Sequence, residues 1–443
     1  MQKIIQGGTL VNEGRCFKGD ILIREDYIEE IVENGVTFVP EGVEVIDATG
    51  MYVIPGVIDD QVHFREPGLT WKGDIAEGSR AAAAGGITSF MDMPNVSPAT
   101  TTNALLREKQ AIARQQAWVN YSFYLGATTD NLAEIKQADP KTTCGIKVFM
   151  GSSTGNMLVD NEEALERIFA ESPLLIATHC ESNAIIQKNL ENYLQQYGED
   201  IPPHCHPLIR SRECCYASSS LAVRLAQKHH SRLHLLHLST REELELLERG
   251  DREEKRITGE VCVHHLWFND RAYQAIGNKV KWNPAIKTEN DRRALLKAVS
   301  ENRLDVIATD HAPHLVIEKE GVYTRAASGG PMVQHSLPVM LELMEKGEIT
   351  LPTIVDKMCH APADLFRVDR RGYLREGYKA DIALFSRDPW QVGQENLLYK
   401  CGWSPLEDTT LTYKIAATLV NGHVVYRNGI FSTERKGELL TFR

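Results

Sequence analysis

The stretch Val57-Ile58-Asp59-Asp60-Gln61-Val62-His63 sets the pattern from which the fold of this chain can be predicted. It follows the turn pair Pro55-Gly56, and its apolar residues indicate a buried strand. A helical pattern comes next, at residues 76–84. Further strand-like runs follow along the chain at residues 87–93, 120–126, 145–150, 174–179, 233–238, 257–263 and 304–309. Helical patterns separate most of these runs, at residues 103–116, 161–171, 218–228 and 291–300.

Strands that alternate with helices in this way predict an α/β protein built as a (β/α)8 TIM-like barrel, a fold that typically occupies about 250 residues before insertions. We place the barrel at residues 55–365. A doubly wound open sheet is the alternative arrangement of the same elements. No G-x-G-x-x-G or G-x4-G-K-[ST] motif follows a strand, which argues against a nucleotide-binding version of that sheet.

Both ends of the chain differ from its middle. Residues 20–32, and near the other end residues 381–385 and 417–426, carry short apolar runs between turns, which are strand and hairpin signals. Neither end is long enough to bury a core by itself. We therefore predict one small β domain made from both termini, residues 1–54 and 366–443.

The composition is that of a soluble globular protein. Among 443 residues, 49 Lys and Arg stand against 60 Asp and Glu, which gives a net charge of −11. The 42% hydrophobic and 25% charged fractions are near globular averages and exclude disorder, collagen or coiled coil for the whole chain. The acidic balance, without a Lys/Arg-rich stretch, argues against a nucleic-acid partner. No apolar run approaches the about 20 residues that a membrane helix needs, so we expect no membrane partner.

The cysteines indicate a reducing compartment. Nine are present, and the first residues turn polar too soon for a secretory signal, so we expect reduced thiols and a cytoplasmic protein. His204-Cys205-His206 and Cys214-Cys215 lack the ligand spacing of a closed structural zinc site. We interpret them as part of a loop and of the helix that follows it.

The barrel prediction also indicates where catalytic residues should lie, because the catalytic groups of this fold are at the C-terminal ends of the strands. Side chains suited to a divalent metal occur at those positions: His63, Lys147, His179, His237 and Asp310-His311. A lysine in the otherwise apolar fourth strand is costly to bury as an ammonium. Its carboxylated form would instead be an anionic bridge between two metals. We interpret His264-His265, also at a strand end, as structural or supporting.

The segment that runs from Pro55 through His63-Phe64-Arg65-Glu66-Pro67-Gly68 resembles the opening motif of the cyclic amidohydrolases, and among them most of all the dihydroorotases of the long, bacterial type. Further matches follow in the same order: Asp92-Met93-Pro94-Asn95, Gly145-Ile146-Lys147-Val148-Phe149-Met150, Ala177-Thr178-His179-Cys180-Glu181, His234-Leu235-Leu236-His237-Leu238-Ser239 and Ala308-Thr309-Asp310-His311-Ala312-Pro313-His314. Six motifs in register make the resemblance specific. It covers nearly the whole chain, including the predicted β domain.

The resemblance implies a metal-dependent, reversible hydrolysis of dihydroorotate to N-carbamoyl-aspartate in pyrimidine synthesis. It implies one or two metal ions, usually zinc, held by these side chains: His63, Lys147 as an N-carboxylated lysine, His179, His237 and Asp310. Asp310 would also carry a proton from the attacking water to the leaving ring nitrogen.

The same resemblance implies that Arg65, Asn95 and His314 hold the substrate carboxylate, for which an Arg fork is well matched. Arg65 favours dihydroorotate as the substrate, because allantoinase and hydantoinase relatives typically lack an Arg in this segment. The alternative for Arg65 is a structural ion pair with Glu66 or Asp59.

One position departs from the family's pattern. The family's first motif is H-x-H, whereas this sequence has Gln61-Val62-His63. Residues 61 and 63 share a face of a strand, so Gln61 points where the missing imidazole would. A carboxamide oxygen is a poorer zinc ligand than a histidine nitrogen, so we expect the more buried metal site to be weakened or to hold a different ion.

Two other functions stay open. One is another cyclic amidase, of the allantoinase or dihydropyrimidinase type. The other is a non-catalytic partner of aspartate transcarbamoylase, which is what some family members that lose metal ligands are. The resemblance also implies a homo-oligomer. Residues 315–330 are interpreted either as a loop that closes over the substrate or as an ordinary surface loop.

Overall fold

The computed structural model describes residues 2–151 and 157–443. The N-terminal part forms strands of one mixed sheet: β1 (Gln2–Asn12), β2 (Arg15–Arg24), β3 (Tyr27–Glu33), β4 (Glu44–Asp47) and β5 (Tyr52–Pro55). β1 pairs antiparallel with β2 and parallel with both β4 and β5. Gly56 then leads directly into the barrel. A Cβ at this position would lie only 2.0 Å from Thr88 Oγ1, so the close approach requires glycine.

The middle of the chain forms a ring of parallel strands. In the described part of the chain these are β6 (Val57–Val62), β7 (Ile87–Asp92), β8 (Asn120–Phe123), β9 (Leu125–Gly126), β10 (Ile146–Phe149), β11 (Ile176–His179), β12 (Leu233–Leu235), β13 (Ile257–Cys262) and β14 (Val306–Ala308). Each pairs with the next along the chain, apart from a break at Tyr124 between β8 and β9. A parallel bridge from Val62 to His311 joins the first strand to the end of the last. The predicted (β/α)8 barrel is confirmed.

Helices connect the strands and continue beyond the ring. Their bounds are α1 (Ile75–Ala84), α2 (Asn103–Gln116), α3 (Leu132–Lys136), α4 (Glu162–Glu171), α5 (Asn183–Tyr197), α6 (His206–Ile209), α7 (Arg212–His229), α8 (Val263–Trp267), α9 (Ala272–Ile276), α10 (Glu289–Ser300), α11 (Val316–Lys319), α12 (Ser336–Glu345), α13 (Leu351–Val355) and α14 (Ala361–Leu365). Local sequence sets several of these bounds. Helix α2 begins after Thr102, whose hydroxyl accepts a hydrogen bond from Leu105 N. No described helix is both long enough and apolar enough to cross a bilayer.

The remaining strands return to the N-terminal sheet: β15 (Ile382–Gln391), β16 (Thr410–Val420), β17 (His423–Arg427) and β18 (Ile430–Phe431). β15 pairs antiparallel with β5, which joins the two ends of the chain in one sheet. Among the described residues the sheet order is β18-β17-β16-β15-β5-β1-β2-β3, with β4 beside β1. The small β domain predicted from both termini is thus confirmed as part of the fold, whereas its exact boundaries stay a prediction.

Alternate residues of the barrel strands belong to different apolar clusters. Ile58, Ala177 and Leu236 pack in one cluster, whereas their chain neighbours Val57 and Ile176 pack in another. The first cluster draws on strands all around the ring and is therefore the barrel interior. It also includes residues from beyond the barrel: Phe366, Val368, Leu440 and Phe442. These close the floor of the barrel.

Six barrel strands end earlier than the sequence predicts, five of them by one residue and β12 by three, and the endings of β12 and β14 serve the mouth of the barrel. β12 stops at Leu235 because the backbone N–H of His237 donates to the Glu260 carboxylate, 2.9 Å away, instead of to a strand. β14 stops at Ala308 because Thr309 N donates to Asp59 Oδ1, at 3.2 Å. In both places a buried carboxylate replaces the strand ladder as the hydrogen-bond acceptor.

Candidate active site

The five predicted metal ligands lie together at the C-terminal mouth of the barrel. His179 is the last residue of β11 and Lys147 lies within β10, whereas His63, His237 and Asp310 follow the ends of β6, β12 and β14. All five are between 1% and 8% exposed. The fold therefore brings residues from five strands to one buried place, as expected of this barrel type.

Positive backbone φ angles occur at two of these ligands, His237 and Asp310, and at the neighbouring Arg65. φ is +68° at Arg65, +40° at His237 and +45° at Asp310. This left-handed region is uncommon for residues other than glycine, and it occurs most often where function fixes the backbone. The chain leaves the strand direction at each of these residues.

His179 and His237 form a neutral imidazole pair. His179 Nδ1 lies 2.9 Å from His237 Nε2, and His179 Nε2 lies 3.2 Å from a carboxylate oxygen of Glu181. Burial lowers the pKa of both histidines, and the nearby Lys147 adds to the effect. Neutral imidazole is the form that binds metal. His237 Nδ1 is buried without a hydrogen-bond partner among the described residues, so this donor set fits a divalent metal.

Lys147 is buried beside an aromatic ring. Its Nζ lies 4.6 Å from the centre of the Phe149 ring, and among the described residues no carboxylate forms an ion pair with it. Burial lowers the pKa of Lys147 to about 8, although Asp310 and Glu260 oppose the shift. The amine is therefore unprotonated far more often than that of an ordinary lysine.

Gln61 presents its amide nitrogen, and not its oxygen, to the neighbouring carboxylate. Its Nε2 donates to Asp310 Oδ1 at 3.3 Å, and the same oxygen lies 3.1 Å from His63 Nε2. The Gln61 oxygen faces Cys262 Sγ, 3.8 Å away. In this arrangement Gln61 supports Asp310 by hydrogen bonding.

The three predicted substrate residues lie beside this centre. Asn95 Oδ1 is 2.7 Å from His63 Nδ1, which orients the imidazole, and its amide nitrogen donates to no other described residue. Arg65 donates from Nε to the Pro313 carbonyl at 3.1 Å, and its terminal nitrogen lies 3.1 Å from His314 Nε2. The structure thus brings Arg65, Asn95 and His314 to one edge of the mouth.

Arg65 has no anionic partner in the described structure. Glu66 accepts hydrogen bonds from Ile75 N and from Gln116, and Asp59 accepts from Thr309. The alternative of a structural ion pair with Glu66 or Asp59 is therefore wrong, because both carboxylates are engaged elsewhere. Burial lowers the pKa of Arg65 to about 10, which leaves the guanidinium charged at neutral pH.

Lys72 completes this cationic corner and was not expected from the sequence. Its Nζ lies 3.0 Å from His314 Nδ1 and 2.7 Å from Glu318 Oε1. Burial, together with Arg65 and Lys72, lowers the pKa of His314 and keeps it neutral. A neutral imidazole accepts only one hydrogen bond, so it cannot satisfy both cations. The space between Arg65 and Lys72 is suited to an anion that accepts hydrogen bonds from both of them.

Residues 315–330 pack over this corner with defined contacts. Lys319 is buried and donates to the carbonyl oxygens of Lys281, Ala327 and Gly329, at 3.1, 2.8 and 2.7 Å. Trp403 Nε1 donates to the carbonyl of His314 at 2.7 Å. These bonds fix the base of the segment against the barrel.

The other histidine and cysteine motifs occupy separate positions. His206 lies 2.7 Å from the Tyr323 hydroxyl and 2.6 Å from the Trp282 carbonyl, which is a structural arrangement. Cys214 and Cys215 are buried near Glu181, on helix α7. His264 stacks on Trp282 with ring centres 4.5 Å apart, and His265 Nε2 lies 3.2 Å from the Pro284 carbonyl.

Comparison with known proteins identifies the family of this chain. Residues 52–425 match the Amidohydrolase family. The dihydroorotase of Geobacter metallireducens is 31% identical over 96% of this chain and 100% of its own length. The dihydroorotase of Methanosphaera stadtmanae is 28% identical over 92% of this chain and 95% of its own.

Solved structures agree on the fold. The L-hydantoinase (dihydropyrimidinase) of Arthrobacter aurescens superimposes with a TM-score of 0.94 at 27% identity, over 99% of both chains. The dihydropyrimidinase of Brevibacillus agri has a TM-score of 0.88 at 24% identity over 99% of this chain and 98% of its own, which supports the fold alone. The family match and the full-length relatives together show that the chain belongs to the amidohydrolase family, in the group that contains the dihydroorotases.

Proposed function

We propose that this protein is a dihydroorotase, a hydrolase that opens and closes the cyclic amide between dihydroorotate and N-carbamoyl-aspartate in pyrimidine synthesis. The observation that carries the proposal is the buried guanidinium of Arg65, which lies 3.1 Å from His314 Nε2 and has no ion-pair partner among the described residues. Dihydroorotate carries a ring carboxylate that would fill this position, whereas an uncharged hydantoin has none.

We propose that the metal is zinc, one or two ions, held by the following side chains: His63, Lys147, His179, His237 and Asp310. Bound metal would polarise the ring carbonyl and lower the pKa of the attacking water. Carboxylation of Lys147 requires its neutral amine, and the lowered pKa of about 8 favours that form. Gln61 is the weakest candidate ligand, because its amide nitrogen faces Asp310.

Side chains of the protein bind the substrate and transfer the proton. Arg65 donates to the substrate carboxylate as a fork, and the unengaged amide nitrogen of Asn95 and the ring of His314 complete its contacts. Fixing the carboxylate positions the ring amide near Asp310. Asp310 then accepts a proton from the attacking water and donates it to the leaving ring nitrogen.

Several further properties are part of the proposal. The nine free cysteines agree with a reducing, cytoplasmic location. We propose that the protein forms a homo-oligomer and contacts aspartate transcarbamoylase, as the family resemblance implies. The division into a barrel of residues 55–365 and a β domain of residues 1–54 and 366–443 belongs to the same proposal.

The direct test is dihydroorotate ring opening by the purified protein before chelation, after chelation and after zinc is returned. We expect turnover that chelation abolishes and zinc restores. Absence of turnover at every zinc level, with stable co-elution of aspartate transcarbamoylase, would instead establish the non-catalytic partner.

Gln61→His is expected to raise the zinc bound at the mouth, so that the zinc content rises by up to one ion per chain. The imidazole would place a ligand nitrogen where an amide N–H now donates to Asp310. Elemental analysis after gel filtration measures the ratio of zinc to protein. The control is Gln334→His, at a buried glutamine whose side chain donates to the carbonyl of Asn396. An unchanged ratio would mean that Gln61 or a neighbour already completes the site.

A second candidate function has one observation in its favour. The fold superimposes closely on the L-hydantoinase of Arthrobacter aurescens. A cyclic amidase for uncharged rings would use the same metal centre without the carboxylate contact. The relative rates on dihydroorotate and on a hydantoin distinguish the two functions.

A further inference from the structure

Deeper in the barrel lies a second cluster of ligand-type side chains that the proposed reaction does not use. It consists of Asp60 on β6, His234 on β12 and Glu260 on β13, all fully buried. His234 Nε2 lies 3.3 Å from Asp60 Oδ2 and 3.7 Å from Glu260 Oε2. Asp60 and His234 each precede a predicted metal ligand by three residues, which is about 10 Å along a strand. The cluster is therefore separate from the mouth.

His234 and Glu260 each use one polar atom in a hydrogen bond to the surrounding barrel, which leaves their other polar atoms directed into the cluster. His234 Nδ1 lies 2.8 Å from the Thr258 hydroxyl, and Glu260 Oε1 accepts from the backbone of His237 at 2.9 Å. The inward atoms, both oxygens of Asp60, Glu260 Oε2 and His234 Nε2, form no hydrogen bond among the described residues, and His234 Nε2 faces the two carboxylates only at ion-pair distances. Two buried carboxylates that share one imidazole are costly, so this arrangement favours a bound cation.

The spacing suits a metal ion. One ligand atom from each of the three side chains can be chosen so that all lie within 4.8 Å of one another. Ligand atoms about 2.0–2.2 Å from a tetrahedral Zn²⁺ lie about 3.3–3.6 Å apart. The observed separations of 3.3 and 3.7 Å are close to this range. Two carboxylates and an imidazole are also an ordinary ligand set for zinc.

A count of charges also favours a divalent ion at this cluster. Two carboxylates with a protonated imidazole leave one negative charge inside the barrel, whereas a divalent cation with a neutral imidazole leaves none. Lys147, the nearest lysine on the facing strands, forms an ion pair with neither carboxylate within the described structure. A proton alone therefore compensates the cluster less completely than a divalent ion does.

We propose that Asp60, His234 and Glu260 bind a divalent transition-metal ion, with Zn²⁺ as the best match, at a structural site below the reaction centre. The ion would join β6 to β12 and β13. Through Glu260 it would also fix the backbone N–H of His237, at the point where the chain leaves the strand. The inference does not depend on which cyclic amide the protein hydrolyses.

The test is anomalous scattering at the zinc edge from crystals of the zinc-loaded protein and of Asp60→Asn. We expect a peak among Asp60, His234 and Glu260 in the unaltered protein. Asp60→Asn should lose that peak and about one zinc per chain, while peaks at the mouth remain. Glu243→Gln is the matched control, since Glu243 is equally buried but accepts hydrogen bonds from Ser219 at 2.6 Å and Thr240 at 2.9 Å. Its zinc content should be unchanged.

An anomalous map of the unaltered protein without density at this position would overturn the proposal, as would equal zinc content in the unaltered protein and Asp60→Asn. If Asp60→Asn does not fold, His234→Gln removes the same site from another strand and is judged by the same two measurements.

Discussion

Arg65→Met is expected to lower kcat/KM for dihydroorotate by about 30- to 3,000-fold, the equivalent of about 2–5 kcal/mol for removing one partner of a buried charge pair. Turnover of an uncharged hydantoin should change little, because that ring has no carboxylate for Arg65 to bind. Most of the loss should appear in KM if the contact is equally strong in the ground and transition states. Steady-state rates on both substrates measure the difference.

The control for Arg65→Met is Arg252→Met. Arg252 is a partly buried arginine whose guanidinium pairs with Asp356 at 2.7 Å and Asp364 at 2.8 Å, away from the mouth. Its loss should lower the melting temperature without changing the ratio of the two substrates. Equal losses on dihydroorotate and hydantoin in Arg65→Met would remove the carboxylate assignment.

Asp310→Asn is expected to lower kcat by about 10²- to 10⁴-fold, the usual contribution of a positioned general acid-base group. Asparagine keeps the size of the side chain but cannot carry the proton. Asp310 is also a proposed metal ligand, so zinc content must be measured together with the rate. Lost turnover with zinc retained supports the proton-carrying role, whereas joint loss of zinc and turnover shows that Asp310 is required to hold the metal.

The control for this variant is Asp92→Asn. Asp92 is a buried carboxylate that pairs with Lys109 at 2.5 Å, and it lies outside the proposed proton path. It is expected to affect stability more than kcat. Near-normal turnover in Asp310→Asn would show that another group carries the proton.

The barrel was predictable because strand periodicity indicates which residues face inward. The site was predictable because the motifs place its residues at strand ends, whatever the strand register: His63, Lys147, His179, His237 and Asp310. The predicted helix at residues 103–116 has the observed bounds of α2, since Thr102 marks its start. Apolar pattern and capping residues are local properties, and a sequence displays them directly.

Other features depend on how distant segments meet, and no local pattern reports them. Lys72 belongs to no motif, and only the closed barrel brings it to His314. Asp60, His234 and Glu260 converge from three strands whose relative register the sequence does not specify. The early end of β12 follows from the Glu260 carboxylate, which lies 23 residues further along the chain.

The pairing of β5 with β15, and the closure of the barrel floor by Leu440 and Phe442, also bear on how the protein is made. Synthesis proceeds from the N-terminus, so β1 to β5 can pair with one another long before β15 leaves the ribosome. Until then β5 presents one unpaired edge, and the barrel floor stays exposed to water. The nascent chain must therefore keep this edge and the floor uncovered until residues 440–442 emerge, which is the period in which a chaperone would act on them.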